Sequence, residues 1–114
     1  MSTELAGFYS TWKSDRGRMN RESPEMGRGF ATFYQSVMKD GALALRDKEL
    51  IALAISVALR CTPCIYLHAR GAVKAGASRA QVLDAAAVAA MMQGGPSFVY
   101  VREVIKVLDH LEAQ

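Results

Sequence analysis

Four residues whose types and spacing suit redox chemistry lie in one short stretch of the chain: Glu49, Cys61, Cys64 and His68. Only two residues separate the cysteines, a spacing at which two sulfurs can close a disulfide or share a metal ion. His68 follows Cys64 by four residues, so the two side chains lie on one face if the segment is helical. This cluster is the candidate active site.

The residues between the cysteines predict that a helix begins there. Thr62 offers a hydroxyl to cap the helix, and Pro63 suits the first helical position because it has no N–H to leave unpaired. Cys64 would then lie in the first turn, near free backbone N–H groups and the positive end of the helix dipole. Both favour the thiolate, which is the nucleophile in disulfide exchange and peroxide reduction.

His68 and Glu49 complete the hypothesis for this site. A histidine in register with Cys64 can take a proton from the thiol and return it to a leaving group. Glu49 begins a helical stripe that continues through Leu53 and Ser56. If that stripe faces the helix carrying His68, Glu49 could orient the imidazole or stabilise its positive charge. The sequence therefore suggests a proton relay from carboxylate to imidazole to thiol.

Other interpretations of these residues remain open at this point. The cysteines could be unreactive core residues, or metal ligands together with His68, His110, Glu49 or a second copy of the chain. Glu49 could be a solvated carboxylate that complements a helix dipole. Because the chain has no second pair of closely spaced cysteines, a closed zinc site within one chain is disfavoured. We predict neither a bound metal nor a cofactor.

The rest of the sequence predicts an all-α domain that positions this cluster. We expect one domain over residues 1–114, with residues 1–23 forming an irregular, polar N-terminal arm. Apolar residues recur at helical spacing in three of the later segments, caps and alanines mark two more helices, and no segment alternates with period two. Five main helices are predicted, at residues 24–39, 46–60, 63–75, 79–93 and 97–112.

Helix ends and buried faces follow from particular residues. Gly76 is expected to end one helix in the left-handed conformation, and Ser78 to cap the next. The helix at 46–60 is apolar on nearly every side, so we expect it to be buried on most sides and to form the centre of the domain.

Composition limits the function classes. Hydrophobic residues make up 51% of the 114 residues, which indicates apolar surface facing another subunit. The net charge of +3 is small, and aromatic residues do not alternate with the arginines as nucleic-acid binding would require. The most apolar stretch is too short to span a membrane, and the first residues lack a secretory signal. We expect a cytoplasmic protein that binds neither nucleic acid nor membrane.

The combined spacing of Glu49, the two cysteines and His68 resembles the alkyl hydroperoxide reductase D (AhpD)-like group of the carboxymuconolactone decarboxylase family. The segment KELIALAISVALRCTPCIYLHARGAVKAGAS, the alanine-rich helix after it and the sequence MMQGGP are similar to that family's core. The resemblance covers most of the chain and is more specific than the cysteine pair alone.

The resemblance implies an AhpD-like helical fold that forms homo-trimers or homo-hexamers through helix faces. It also implies a peroxidase-type thiol-disulfide oxidoreductase with antioxidant activity on alkyl hydroperoxides. Cys61 and Cys64 would be the redox pair, and Glu49 and His68 the proton relay. A lipoylated or thioredoxin-like dithiol protein would supply the electrons.

Two departures from the family pattern separate this chain from larger AhpD proteins. Those proteins have a second, degenerate helical half and a histidine between the cysteines, where this chain has Thr62 and Pro63. The alternative functions are decarboxylation of a carboxylated lactone and a non-enzymatic metal-binding or assembly module. The cysteine pair argues against the decarboxylase, which does not depend on it.

Overall fold

The computed structural model describes residues 3–114, and over that range the chain is helical without a β-strand. No helix in this range is long and apolar enough to cross a membrane. Successive helices are α1 (Thr3–Glu22), α2 (Pro24–Val37), α3 (Leu45–Ala58), α4 (Thr62–Lys74), α5 (Arg79–Gln93), α6 (Gly95–Phe98) and α7 (Val101–Glu112). The predicted all-α fold class is confirmed.

Four helices enclose the hydrophobic core and hold the candidate site. Helix α3 packs against α4 and α5, and α7 packs against the other side of α4 and against α5. Helix-spaced apolar residues fill the space between them, and several are alanines, which let helix backbones approach closely. The fully buried side chains include Leu53, Val57, Ile65, Ala69, Ala72, Val82, Ala86, Val104 and Val107.

The predicted irregular arm at residues 1–23 is wrong for the part that the structure describes. Thr3–Glu22 is a continuous helix. Leu5 is fully buried, and Phe8 packs edge-on against the Tyr66 ring of α4 at 5.5 Å between ring centres. This tertiary contact anchors the first turns. The polar remainder continues as helix to Glu22 in spite of Gly17, and its three arginines, together with Lys13 and Met19, have good helix propensity.

Helix α2 matches the predicted first helix, but its apolar stripe does not enter the core. Phe30 and Phe33 are 64% and 65% exposed, and no residue of α2 is buried. Helix α2 packs against α1 alone among its closer neighbours. Its aromatic face is therefore available for a partner.

Helix α3 is central to the domain, but it is not buried on most sides as predicted. Its Glu49, Leu53, Ser56 and Val57 face inward, whereas Ile51 and Ile55 are 48% and 53% exposed. A helix that is apolar all round has the composition of a buried one. Here a single chain covers only one side of it.

The predicted helix at 97–112 is divided into α6 and α7. Ser97 is buried, and its hydroxyl donates to the carbonyl oxygen of Ala58 at 3.3 Å. The next turn tightens, with the Tyr100 N–H bonded to the carbonyl of Ser97 at 3.0 Å. The hydrogen bond from Ser97 to Ala58 is a tertiary contact, and the 3.6-residue periodicity of the sequence cannot predict it.

Candidate active site

The turn between α3 and α4 places the cysteines. Helix α3 ends in a Schellman motif, in which the N–H of Arg60 bonds to Val57 O and the N–H of Cys61 to Ser56 O, each at 3.0 Å. Arg60 takes the left-handed conformation with φ 55°, and it is the sole non-glycine residue to do so among residues 3–114. The chain reverses there and starts α4 at once.

Cys61 caps α4, where Thr62 had been predicted to do so. The Cys64 N–H donates to the Cys61 sulfur at 3.3 Å, and Thr62 and Pro63 fall in the first turn. Cys61 and Cys64 form a disulfide with a Cα–Cα distance of 5.2 Å. The sulfur of Cys61 therefore lies at the positive end of the helix, where a backbone N–H can stabilise its thiolate once the bond is reduced.

The Glu49 stripe on α3 faces α4, which brings the two remaining candidates together. His68 Nδ1 and Glu49 Oε1 are 2.7 Å apart, and the two side chains are 20% and 12% exposed. An ionised carboxylate can only accept a hydrogen bond, so Nδ1–H of His68 is the donor. This assignment leaves Nε2 as the nitrogen available for proton exchange.

The structure thus brings Glu49 and His68 into contact and joins Cys61 to Cys64. Cys64 and His68 are four residues apart in α4, a spacing that places both on one face of the helix. Their catalytic roles stay predictions. Helix α2 adds Tyr34 to the surroundings: partial burial, and secondarily the negative charge of Glu49, raise the pKa of its phenol. Sequence spacing offered no signal for Tyr34, because α2 and α3 are joined by a loop.

A second polar cluster lies on the opposite side of α4. The buried Tyr66 hydroxyl donates to Glu103 Oε2 of α7 at 3.1 Å, and Lys106 Nζ bonds to Oε1 of the same carboxylate at 3.2 Å. The Tyr9 hydroxyl of α1 donates to the Tyr66 carbonyl oxygen. The Arg70 guanidinium lies over the Tyr9 ring, 4.2 Å from its centre. This cluster ties α1, α4 and α7 together.

Tyr66 packs in the hydrophobic core. Glu103 could not be identified from the sequence, since it reads as an ordinary polar residue of α7. Within residues 3–114, no three His, Cys, Asp or Glu side chains lie close enough together to hold a metal ion.

The fold and the site match a known family. The model of the carboxymuconolactone decarboxylase family matches residues 24–107. This chain belongs to that family. Within that family, the spacing of Cys61, Cys64 and His68 is that of the AhpD-like group.

Solved structures of related proteins cover three quarters or more of this carboxymuconolactone decarboxylase family chain. A family member from Legionella pneumophila superimposes with a TM-score of 0.88 and 34% identity, covering 96% of this chain and 97% of its own. Another, from Thermotoga maritima, gives a TM-score of 0.71 and 29% identity over 75% of this chain and 89% of its own. Its description names the antioxidative response as a candidate role.

The descriptions of the sequence relatives give no activity. A protein of the cox locus in Paracoccus denitrificans is 33% identical over 84% of this chain and 86% of its own length. A protein from Cupriavidus necator is 28% identical over 99% of this chain and the full length of its own. Family membership fixes the fold, and the chemistry has to be argued from the site.

Proposed function

We propose that this protein is a thiol-disulfide oxidoreductase that reduces alkyl hydroperoxides. One observation carries the proposal: a disulfide closes at the start of the helix on which His68 is held by Glu49. A buried structural disulfide would need no paired histidine and carboxylate beside it. The antioxidative role named for the Thermotoga maritima relative supports the same chemistry.

In the proposed cycle, the reduced pair gives up two electrons to the peroxide. The Cys64 thiol passes its proton to His68 Nε2, and the resulting thiolate attacks the peroxide oxygen and breaks the O–O bond. The alkoxide leaves as an alcohol when it receives a proton from His68. Cys64 is now a sulfenic acid. The Cys61 thiolate attacks its sulfur and displaces hydroxide to form the disulfide, and the hydroxide takes up the proton lost by the Cys61 thiol and leaves as water.

The resting disulfide is reset by an external dithiol. One thiolate of the dithiol attacks a sulfur of the Cys61–Cys64 bond and forms a mixed disulfide. The second thiol then attacks that mixed disulfide, and the dithiol leaves as a cyclic disulfide. The exchange returns two electrons and two protons to Cys61 and Cys64. We propose a lipoylated or thioredoxin-like protein as this dithiol. The two cysteines are only partly buried, which allows such a partner to reach them.

Glu49 would keep His68 in the tautomer that the cycle needs. With its proton on Nδ1 directed at the carboxylate, the imidazole presents an unprotonated Nε2 to the thiol. When Nε2 takes the proton, the carboxylate stabilises the imidazolium. In other nucleophilic sites, too, a third group orients the histidine base.

Association of several chains is part of the proposal, with a homo-trimer or homo-hexamer in the cytoplasm. Its support is the apolar surface that residues 3–114 leave uncovered in one chain: Phe30, Phe33, Ile51, Ile55, Leu59, Val88, Met91 and Met92. Single soluble chains rarely expose this much apolar surface on adjacent helices. Sedimentation equilibrium measures the number of chains directly.

The decisive experiment counts thiols and mass before and after one equivalent of cumene hydroperoxide is added to the reduced protein. We expect two thiols to be lost, with a mass decrease of two hydrogens and release of one alcohol. Cys64→Ser should abolish the reaction, and Cys61→Ser should stop at a sulfenic acid. Single variants that trap a mixed disulfide with the dithiol identify the sulfur that the reductant meets.

Two results would contradict the proposal. One is a reduced protein that keeps both thiols in the presence of hydroperoxide. The other is lactone decarboxylation that survives in the Cys61→Ser/Cys64→Ser double variant, which would assign the chain to the lyase branch of its family.

A further inference from the structure

Gly71 lies in the interior of α4, one turn beyond His68 and on the same side of the helix. Glycine is among the least favourable residues for a helix interior, where its conformational freedom is lost without compensation. Gly71 does not use that freedom either, since the positive-φ glycines of residues 3–114 are Gly76 and Gly94. The backbone conformation at position 71 therefore does not require glycine.

The Glu49 carboxylate occupies the space that a side chain at position 71 would fill. A Cβ atom built on Gly71 would lie 2.1 Å from Glu49 Oε2, 2.7 Å from Cδ and 3.2 Å from Oε1. The first two distances are shorter than real Cβ contacts allow. All three atoms belong to the end of a flexible side chain. An added methyl group would therefore move the carboxylate and leave the backbone of α4 in place.

We propose that Gly71 is a positioning residue: its missing side chain lets the Glu49 carboxylate lie against α4 with Oε1 at His68 Nδ1. The carboxylate bridges one helical turn, with Oε1 on His68 and Oε2 against Gly71. The effect of Gly71 on turnover rests on the proposed function. The placement of the carboxylate does not, so the two can be tested separately.

The first test is spectroscopic and needs no activity. Nitrogen chemical shifts of His68 in histidine-labelled protein report which ring nitrogen carries the proton, with His110→Gln used for assignment. In the parent protein we expect His68 to be held with its proton on Nδ1. In Gly71→Ala we expect a mixture of tautomers, because Nδ1 has lost its acceptor. An unchanged tautomer in Gly71→Ala overturns the proposal.

The second test asks whether Gly71 acts through Glu49. We expect Gly71→Ala to slow peroxide-driven disulfide formation by about tenfold, a part of what positioned proton transfer contributes, and to change its pH profile. In a Glu49→Ala background, the same substitution should change the rate by less than about twofold, since coupled residues are not additive. An equal loss in both backgrounds means that Gly71 serves another purpose, and the proposal fails.

Folding and helix propensity are controlled separately. Gly29 of α2 is a helical glycine whose added Cβ would meet no atom within 4 Å, so Gly29→Ala should leave the His68 tautomer and the rate unchanged. If Gly71→Ala does not fold, Glu49→Ala/Gly71→Ala should fold, because the clashing carboxylate is gone. A double variant that also fails to fold overturns the proposal. A parent protein inactive toward hydroperoxides contradicts the proposed function alone.

Discussion

Helix α4 carries two hydrogen bonds between a ring and a buried carboxylate, one toward α3 and one toward α7. On the α3 side, His68 Nδ1–H donates to Glu49 at 2.7 Å. On the α7 side, the Tyr66 hydroxyl donates to Glu103 at 3.1 Å. The two arrangements look alike in outline, and only one of them lies beside the disulfide.

The chemistry of the two rings separates their uses. An imidazole can accept a proton and release it again within one reaction cycle, so the His68 pair can serve in proton transfer. Burial, together with the charge and hydrogen bond of Glu103, raises the pKa of Tyr66 far above its usual range. That phenol stays neutral in the folded protein. Lys106 also balances Glu103. The α7 side is therefore structural, and the α3 side is suited to proton transfer.

The largest expected difference between the α3 side and the α7 side of α4 comes from removing the charge of Glu49 or of Glu103. We expect Glu49→Gln to lower the rate of peroxide-driven disulfide formation by about a hundredfold, the lower end of what general acid–base catalysis contributes. Glu103→Gln should keep the rate within about twofold of the parent but lower stability by about 1–3 kcal/mol, because the buried Tyr66 hydroxyl loses its charged acceptor. Stopped-flow kinetics and urea unfolding measure the two effects. Equal rate losses in the two variants would abolish the distinction between the sides.

The dependence of stability on pH above neutrality tests the cluster on the α7 side of α4. Burial raises the pKa of Tyr9 to about 12, against the lowering effect of Arg70, and raises that of Tyr66 further. Both folded-state values exceed the unfolded one of about 10. Their contribution is complete below pH 10 and is lost as the pH rises through the folded values. We expect the free energy of unfolding to fall steadily above pH 10.

Tyr66→Phe removes the larger of these two contributions. In this variant the free energy of unfolding should fall less steeply above pH 10. At pH 8 it should be about 1 kcal/mol lower than in the parent, because the hydrogen bond to Glu103 is lost. Tyr100→Phe at the start of α7 is the matched control. A Tyr66→Phe curve parallel to that of the parent up to pH 11 would contradict this account of the cluster.

The smallest expected effect concerns the two turns that end α3 and α4. Both are Schellman motifs, with Arg60 at φ 55° before the disulfide and Gly76 at φ 105° away from it. Arg60→Gly should raise stability by about 0.5–1 kcal/mol, because glycine adopts this conformation without steric cost. Gly76→Ala should lower stability by a similar amount.

Thermal unfolding followed by circular dichroism compares these two variants with the parent. Changes of the same sign would show that Arg60 is held there by contacts of its side chain rather than tolerated at a strained position.

Much of the helical framework could be predicted, and the errors have identifiable causes. Periodicity and caps located α2 to α5 to within two residues, because Pro24, Pro63, Gly76 and Ser78 act within one turn of the backbone. The failures came where tertiary contacts decide. Residues 3–22 form a helix anchored by packing on Tyr66, and the chain bends between α6 and α7 where Ser97 bonds to Ala58.

The candidate site was predictable in its membership and less so in its geometry. Spacing alone brought Cys61, Cys64 and His68 together, since all three belong to one helix and its cap. The contact from Glu49 to His68 depended on the angle between α3 and α4, which sequence spacing does not fix. The capping role of Cys61 was missed, because a hydroxyl is the more frequent helix cap.

The sequence by itself determined an all-helical chain with a cysteine pair and a histidine in register at the start of one helix, because these are short-range consequences of residue type and spacing. Only the tertiary structure decided that Glu49 of α3 reaches His68 and that Glu103 of α7 reaches Tyr66. It also showed that Gly71 leaves room for the Glu49 carboxylate. Such contacts depend on how close two helices come, and packing of their buried faces sets that distance.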